Sequence, residues 1–214
     1  MLNTLTYVHR FVPAEDGGLP VTLLLLHGTG GDETSMVPIA NEVAPGTAYL
    51  SPRGKTVIEE MRRFFPNPGD DLIDRDEIAY KAAEMAAFVY QSGDAYGFDP
   101  RRMVAVGYSN GAAMAGSLLL YHPRLLLGAV IFRPVLPPAP YRLPDLKGRP
   151  VFIAGGRQDD LAEPEDSERL ARLLRQAGAD VTLRWEEAGH KLRPVEMQAA
   201  RTWLVEHFGR QDPG

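Results

Sequence analysis

The sequence contains no cysteine. Disulfides, zinc sites built on thiolates, iron–sulfur clusters and a cysteine nucleophile are therefore all excluded. A long apolar run is also lacking, because the longest, around Val21–Leu26, is far shorter than the roughly 18 residues of a membrane-spanning helix. Any chemistry must come from serine, histidine and carboxylates, and we expect no membrane span, no metal and no cofactor.

An excess of positive charge is lacking as well. The 214 residues carry 23 Lys and Arg against 28 Asp and Glu, a net charge of −5. Nucleic-acid-binding domains usually display a basic surface, so we expect no nucleic-acid partner. The segment Met1–Arg10 has neither the basic leader nor the apolar stretch of a secretory signal, which favours a cytoplasmic protein. The length and the 44% hydrophobic content predict one globular domain over residues 1–214.

Short apolar runs alternate with amphipathic stretches of helical period, which is typical of a parallel sheet wrapped by helices. The predicted parallel strands are Val21–His27, Thr47–Ser51, Met103–Gly107, Gly128–Phe132, Val151–Ala154 and Val181–Trp185, with Leu5–Phe11 as an antiparallel edge strand. The predicted helices are Asp76–Tyr90, Ala112–Tyr121, Glu165–Ala177 and Val195–Phe208. The pattern thus predicts an α/β fold with six to seven strands and helices on both faces.

Two segments rich in proline, glycine or charge, Arg53–Asp74 and Pro134–Pro150, are predicted to be long loops over one face of the sheet. Only Pro134–Pro150 is placed to serve as a lid, and it is too short for a cap domain. We therefore expect an open, shallow site.

Ser109 lies in the pentapeptide Gly107–Gly111, GYSNG, directly after a predicted strand and directly before a predicted helix. A G-x-S-x-G pattern in this context is typical of a sharp strand-to-helix turn that exposes the serine hydroxyl. The pattern alone also occurs in incidental tight turns. Its position between strand and helix favours Ser109 as a nucleophile.

A serine hydroxyl needs a base and an orienting carboxylate to become nucleophilic. Of the five histidines, only His190 follows a predicted strand at the edge of the sheet that would present Ser109. Asp159 and Asp160 follow another strand at that edge. We favour Asp159 as the carboxylate and leave Asp160 as the alternative.

An oxyanion hole needs two preorganised N–H donors, and one usually belongs to the residue after the nucleophile, here Asn110. The second is expected in the glycine-rich segment His27–Glu33, and we favour the amide of Thr29. A phosphate-binding loop is disfavoured because Glu33 stands where a G-x-G-x-x-G pattern would place its third glycine.

Substrate contacts are expected from a basic and aromatic part of the first long loop, with Arg53, Arg63 and Phe64, and from Arg133 beyond a strand. Each has a structural alternative. The loop residues could form a solvated face, and Arg133 could form a structural salt bridge in the proline-rich loop.

Four segments together, LHGTGG at Leu26–Gly31, SPRG at Ser51–Gly54, GYSNG at Gly107–Gly111 and AGH at Ala188–His190, resemble the phospholipase/carboxylesterase family of α/β-hydrolases. The resemblance implies an α/β-hydrolase fold, a Ser109–Asp159–His190 triad and an oxyanion hole formed by the amides of Thr29 and Asn110. The thioesterase members typically have glutamine after the serine, so Asn110 places this chain nearer the bacterial carboxylesterases.

The sequence therefore predicts a serine carboxylesterase that acts on a small-molecule ester with a short or medium acyl chain. Alternatives in the same class are an acyl-thioesterase and a lysophospholipase. The alternative from another class is a non-catalytic binding protein on a hydrolase fold. The oligomeric state is left open, with a homodimer as one alternative.

Overall fold

The computed structural model describes residues 5–66 and 74–209, which contain nine strands and five α-helices. The strands are β1 His9–Val12, β2 Thr22–Leu26, β3 Ala48–Pro52, β4 Thr56–Ile58, β5 Met61–Arg63, β6 Met103–Tyr108, β7 Leu126–Phe132, β8 Pro150–Gly156 and β9 Asp180–Glu186. The helices are α1 Val37–Val43, α2 Arg75–Tyr96, α3 Asn110–Tyr121, α4 Pro164–Gln176 and α5 Pro194–Phe208.

Seven strands form one sheet in the order β1-β3-β2-β6-β7-β8-β9. The strand β1 runs antiparallel to β3, and all other neighbours are parallel. The predicted sheet is confirmed, although its edge strand begins at His9 instead of Leu5. Because the parallel strands all end at one edge, the segments that follow β2, β3, β6, β7, β8 and β9 meet there.

The helices cover both faces of the sheet, as the sequence predicts. Alternate residues of β2 face opposite sides, so Leu24 and Leu26 join a core with α2, α3 and α4. Leu23 and Leu25 join a second core with α1 and α5. All four leucines are fully buried, which explains why these strands appear in the sequence as continuous apolar runs.

Two helices differ from the sequence prediction. The helix α2 continues to Tyr96, six residues beyond the predicted end, and stops at Gly97, whose φ of 74° is left-handed. The short helix α1 was not predicted. Within residues 5–66 and 74–209, no helix is long and apolar enough to cross a membrane.

The segment Arg53–Asp74 is not simply a loop, which corrects the prediction. It contains the hairpin β4–β5, whose turn residues Glu59 and Glu60 have φ of 51° and 64°. Such two-residue turns usually use asparagine and glycine, so the two glutamates gave no hairpin signal. Residues 67–73 of the predicted loop lie outside the described residues.

The segment Pro134–Pro150, all of it described, has no helix or strand before β8 begins at Pro150. Three hydrogen bonds hold this segment to the rest of the fold. The Tyr121 hydroxyl donates to the Pro138 carbonyl at 3.0 Å, Arg75 Nε donates to the Ala139 carbonyl at 2.5 Å, and the Leu136 amide donates to an Asp166 carboxylate oxygen. These tethers hold it as a fixed loop, and this stretch adds no cap domain to the fold.

Candidate active site

Ser109 occupies the turn between β6 and α3, with φ 55° and ψ −116°. A left-handed φ is uncommon for a residue with a side chain and costs free energy that the surrounding contacts must offset. The Ser109 amide donates to the carbonyl of Phe132 at 3.0 Å, which fixes the turn to β7. The strained backbone turns the hydroxyl toward the edge where the parallel strands end.

Gly107 and Gly111 allow this turn, because a side chain at either position would clash with the backbone. A Cβ on Gly107 would lie 2.5 Å from the Gly111 carbonyl oxygen, and one on Gly111 would lie 2.1 Å from the Leu26 carbonyl oxygen. Both contacts are with backbone and cannot be relieved by a rotamer change. The glycines therefore let α3 begin directly against the end of β2.

His190 meets both Ser109 and Asp159. Its Nε2 lies 3.0 Å from Ser109 Oγ, and its Nδ1 lies 2.9 Å from Asp159 Oδ2. The imidazole is partly shielded, with 16% of its side chain exposed, while the Asp159 side chain is fully buried. The structure thus brings together a hydroxyl, an imidazole and a carboxylate from the segments after β6, β9 and β8.

The carboxylate that contacts His190 belongs to Asp159. Its Oδ1 also accepts hydrogen bonds from the amides of Leu161 and Ala162, both at 2.9 Å. These bonds fix the orientation of the carboxylate. Asp160, the alternative left open by the sequence, is exposed.

The segment after β2 lies beside Ser109. A Cβ on Gly28 would approach the Ser109 Cβ to 3.4 Å, so the neighbouring Thr29 amide lies in the same region as the start of α3. Among the described residues, the amides of Thr29 and Asn110 have no protein acceptor. Two unused N–H groups near a serine are what an oxyanion hole requires.

The buried residue His27 holds this segment in place, a role that the sequence analysis did not assign. Its Nδ1 lies 2.7 Å from the Gly28 carbonyl oxygen, and its Nε2 accepts the Gly54 amide at 2.9 Å. Burial lowers the pKa of His27, which keeps the ring neutral and able to accept through Nε2. His27 therefore joins the segments that follow β2 and β3.

The Asn110 side chain holds the hairpin segment against α3. Its Oδ1 accepts the amides of Phe64 at 2.7 Å and Phe65 at 3.3 Å, and its Nδ2 donates to the Phe65 carbonyl at 3.1 Å. Phe64 is 3% exposed and packs on the His27 ring at 4.7 Å between centroids. Phe64 therefore lies in the core and not where it could contact a substrate, which corrects the prediction.

The two arginines of the predicted substrate-contacting loop are held by the protein itself. Arg53 forms a bidentate pair with Glu33, with Nη2 donating to Oε1 at 2.6 Å. Arg63 is buried at 4% exposure. The Arg62 carbonyl accepts the Gly30 amide at 2.9 Å, so β5 braces the same glycine-rich segment.

Arg133 is not a surface residue, which corrects the predicted substrate contact. Its side chain is fully buried and pairs with Glu196 of α5 through Nη1 at 2.5 Å and Nη2 at 2.9 Å. The salt bridge that the sequence left as the alternative is present. The partner comes from α5 instead of the proline-rich loop.

Tyr108 is a further neighbour of His190 that the sequence analysis missed. Its hydroxyl donates to the His190 carbonyl at 3.1 Å, and its ring lies 5.1 Å from the imidazole. Burial raises the pKa of this phenol, so the hydroxyl stays protonated as a donor.

Comparisons with known proteins identify the family and the fold. A sequence profile of the phospholipase/carboxylesterase family matches residues 9–208. The putative hydrolase MhqD of Bacillus subtilis is 37% identical over 192 residues, which cover 90% of this chain and 96% of that protein. A carboxylesterase structure from Bacillus cereus superposes with a TM-score of 0.89 at 38% identity over 95% of each chain. A carboxylesterase from Mesorhizobium loti gives a TM-score of 0.83 at 31% identity, covering 95% of this chain and 97% of the other.

Proposed function

The chain belongs to the phospholipase/carboxylesterase family of α/β-hydrolases, and from this membership we propose that it is a serine esterase that hydrolyses esters with short or medium acyl chains. The observation that carries the proposal is the pair of contacts made by His190, at 3.0 Å to Ser109 Oγ and 2.9 Å to Asp159 Oδ2. In this proposal, Ser109, His190 and Asp159 form the catalytic triad.

In the acylation half-reaction, Ser109 Oγ attacks the ester carbonyl carbon while His190 Nε2 accepts the serine proton. The carbonyl oxygen becomes an oxyanion, which the amides of Thr29 and Asn110 stabilise. The imidazolium then protonates the departing alcohol, and the acyl group remains on Ser109.

In the deacylation half-reaction, His190 takes a proton from water, and the resulting nucleophile attacks the acyl carbon. The imidazolium returns the proton to Ser109 Oγ as the carboxylic acid leaves. Throughout, Asp159 keeps Nδ1 protonated and stabilises the imidazolium without accepting its proton.

The proposed acyl length is supported by what surrounds the serine. Ser109 is only half-buried, and the tethered Pro134–Pro150 segment contributes no helix to enclose a long chain. A panel of p-nitrophenyl esters of increasing chain length, with an acyl thioester and a lysophospholipid as additional arms, tests this substrate class. Turnover that peaks with the longest chain or with the lysophospholipid would contradict it.

The nucleophile is tested with a fluorophosphonate probe. We expect one label per chain, on the peptide that contains Ser109, and loss of labelling and of turnover by roughly 10⁴–10⁶ in Ser109→Ala. Ser35→Ala is the matched control, since it removes an exposed serine and should keep both signals. Full turnover in Ser109→Ala would refute the triad, and an unlabelled, inactive wild type would favour the non-catalytic alternative.

A further inference from the structure

The buried ion pair between Arg133 and Glu196 has no role in the reaction described above. Arg133 directly follows β7 and adopts a φ of 51°, one of four positive values among the described non-glycine residues. Ser109, after the neighbouring strand β6, is another. A strained backbone and a buried charge are both unfavourable, so the surrounding contacts must offset them.

The two side chains satisfy each other. The guanidinium donates to both Glu196 carboxylate oxygens, and neither side chain is more than 1% exposed. Glu196 Oε2 also accepts the Arg193 amide at 2.8 Å, so the pair is anchored to the first turn of α5.

The rest of the guanidinium binds the chain on both sides of His190. Its Nε donates to the Gly189 carbonyl at 2.9 Å, and Nη2 reaches the Lys191 carbonyl at 3.5 Å. Its Nη1 donates to the Ala154 carbonyl of β8 at 3.1 Å. One side chain thus connects the last helix, the end of the sheet and the two neighbours of the proposed base.

Gly156 shows how closely these parts are packed. A Cβ there would lie 2.6 Å from the Ala188 carbonyl oxygen and 2.9 Å from Arg133 Nε. The absence of a side chain at the end of β8 therefore lets the guanidinium and the His190 segment meet.

We propose that Arg133 and Glu196 are a positioning pair, which holds the His190 segment so that Nε2 meets Ser109 Oγ and which sets the charge balance around the imidazole. This inference rests on the proposed serine esterase mechanism. Arg133 does not touch a substrate, so it acts through His190 and Asp159.

The charge balance follows from the groups that contact His190 and from the ion pair behind them. Tyr108 at the end of β6 and Asp159 after β8 contact His190, and the pair of Arg133 after β7 with Glu196 of α5 lies against Asp159 and the Gly189 carbonyl; Arg133 is the only cation among these four. Its Nε lies 3.7 Å from Asp159 Oδ2. The guanidinium therefore offsets part of the negative field that the two carboxylates create at the imidazole.

The charge argument predicts opposite shifts for the two partners. Loss of the cation in Arg133→Met leaves two carboxylates, favours the imidazolium and moves the acid limb of kcat/KM to higher pH, by about one unit. Glu196→Gln leaves one cation and one carboxylate, which favours the imidazolium less than the wild type does and moves the limb to lower pH. Arg133→Lys keeps the charge but loses the bidentate geometry, so we expect kcat to fall about 10- to 100-fold with little shift.

Arg133→Met leaves a buried carboxylate unpaired and can unfold the chain, so the double variant Arg133→Met with Glu196→Met is included because it removes both charges. We expect its acid limb to lie near that of the wild type while kcat remains reduced and KM changes little. All rates are divided by the number of sites that react with the fluorophosphonate. Glu187→Gln is the matched control, because it disrupts an exposed ion pair with Arg157 three residues before His190.

Acid limbs that shift in the same direction for Arg133→Met and Glu196→Gln, or wild-type kcat and limb in the double variant, would overturn the proposal. These outcomes are distinct from failure of the serine esterase mechanism, which would appear as full turnover in Ser109→Ala. A shift in Glu187→Gln as large as that in Glu196→Gln would also overturn it, since a nonspecific charge effect would then suffice.

Discussion

The Asn110 side chain offers a direct test of how the proposed oxyanion hole is built. Asn110→Ala keeps the backbone N–H that would bind the oxyanion. It removes only the side-chain carboxamide, which holds Phe64 and Phe65. Asn110 is 2% exposed, so no solvent replaces the lost contacts directly. The substitution therefore keeps the backbone amide of Asn110 as one proposed donor. It tests whether the hairpin segment positions the other proposed donor, the Thr29 amide.

The expected loss of stability follows from three hydrogen bonds. A net contribution of about 0.5–1.5 kcal/mol each would give about 1.5–4.5 kcal/mol. The bond to the Phe65 amide is long at 3.3 Å, which favours the lower half of that range. We expect the free energy of unfolding to fall by about 2–3 kcal/mol, measured by urea denaturation followed by circular dichroism.

The effect on turnover has a separate cause. The Arg62 carbonyl of the hairpin β4–β5 accepts the Gly30 amide, and Gly30 directly follows Thr29. Loosening the hairpin therefore displaces the Thr29 amide, which is the second proposed donor. Displacement of one donor predicts a loss of about 10- to 100-fold in kcat, with KM for p-nitrophenyl acetate nearly unchanged.

Ser117→Ala is the matched control in the same helix. Ser117 is fully buried, and its hydroxyl donates to the Ala113 carbonyl at 2.9 Å. This change should cost at most about 1 kcal/mol and leave kcat intact. An Asn110→Ala variant that loses stability but keeps wild-type kcat would refute the coupling between the hairpin and the oxyanion hole.

Two further predictions concern the aspartates and the buried His27. Asp159→Asn should lower kcat roughly 10⁴-fold, because the amide cannot hold the required imidazole tautomer. Asp160→Asn should change kcat little, since Asp160 is exposed. Steady-state kinetics of the two variants test this, and swapped effects would make Asp160 the triad acid. For His27, burial lowers the folded-state pKa, so below about pH 6.5 the unfolded chain binds protons that the folded chain does not. Its contribution to stability is therefore complete above that pH and is lost as the pH falls. In His27→Gln, whose amide oxygen can still accept the Gly54 amide, urea midpoints should decline less steeply from pH 7 to pH 5, and an equally steep decline would contradict the assignment.

The parallel sheet could be predicted because its central strands are buried on both faces and appear as apolar runs. Ser109 could be singled out because it follows such a run, and His190 because it follows the predicted strand Val181–Trp185 at the same edge of the sheet. The hairpin β4–β5 could not be predicted, since its strands are only three residues long and partly exposed, and Glu59–Glu60 is not a typical turn pair. The short helix α1 likewise has only two buried residues, Ala40 and Val43, too few for a helical period.

The residues that support the site were harder to predict because their partners are distant in sequence. Arg133 and Glu196 are 63 positions apart, and Asn110 and Phe64 are 46 apart. A buried arginine after a strand has the same appearance in a sequence as an exposed one. Only the packing of α5 against the end of the sheet shows that Arg133 is buried.

The two edges of the sheet bear on how copies of this chain can associate. An open edge strand offers unpaired backbone groups to which a second chain can add, and this is a common route to aggregation. The edge strand β1 has only four residues, while the opposite edge, β9, has seven and carries Asp180, Arg184 and Glu186. Arg157 also lies over the Trp185 ring at 4.9 Å. A second copy adding to β9 would have to desolvate these charges, so the edge resists intermolecular strand pairing, and any homodimer is expected to use helices or loops instead of extending the sheet.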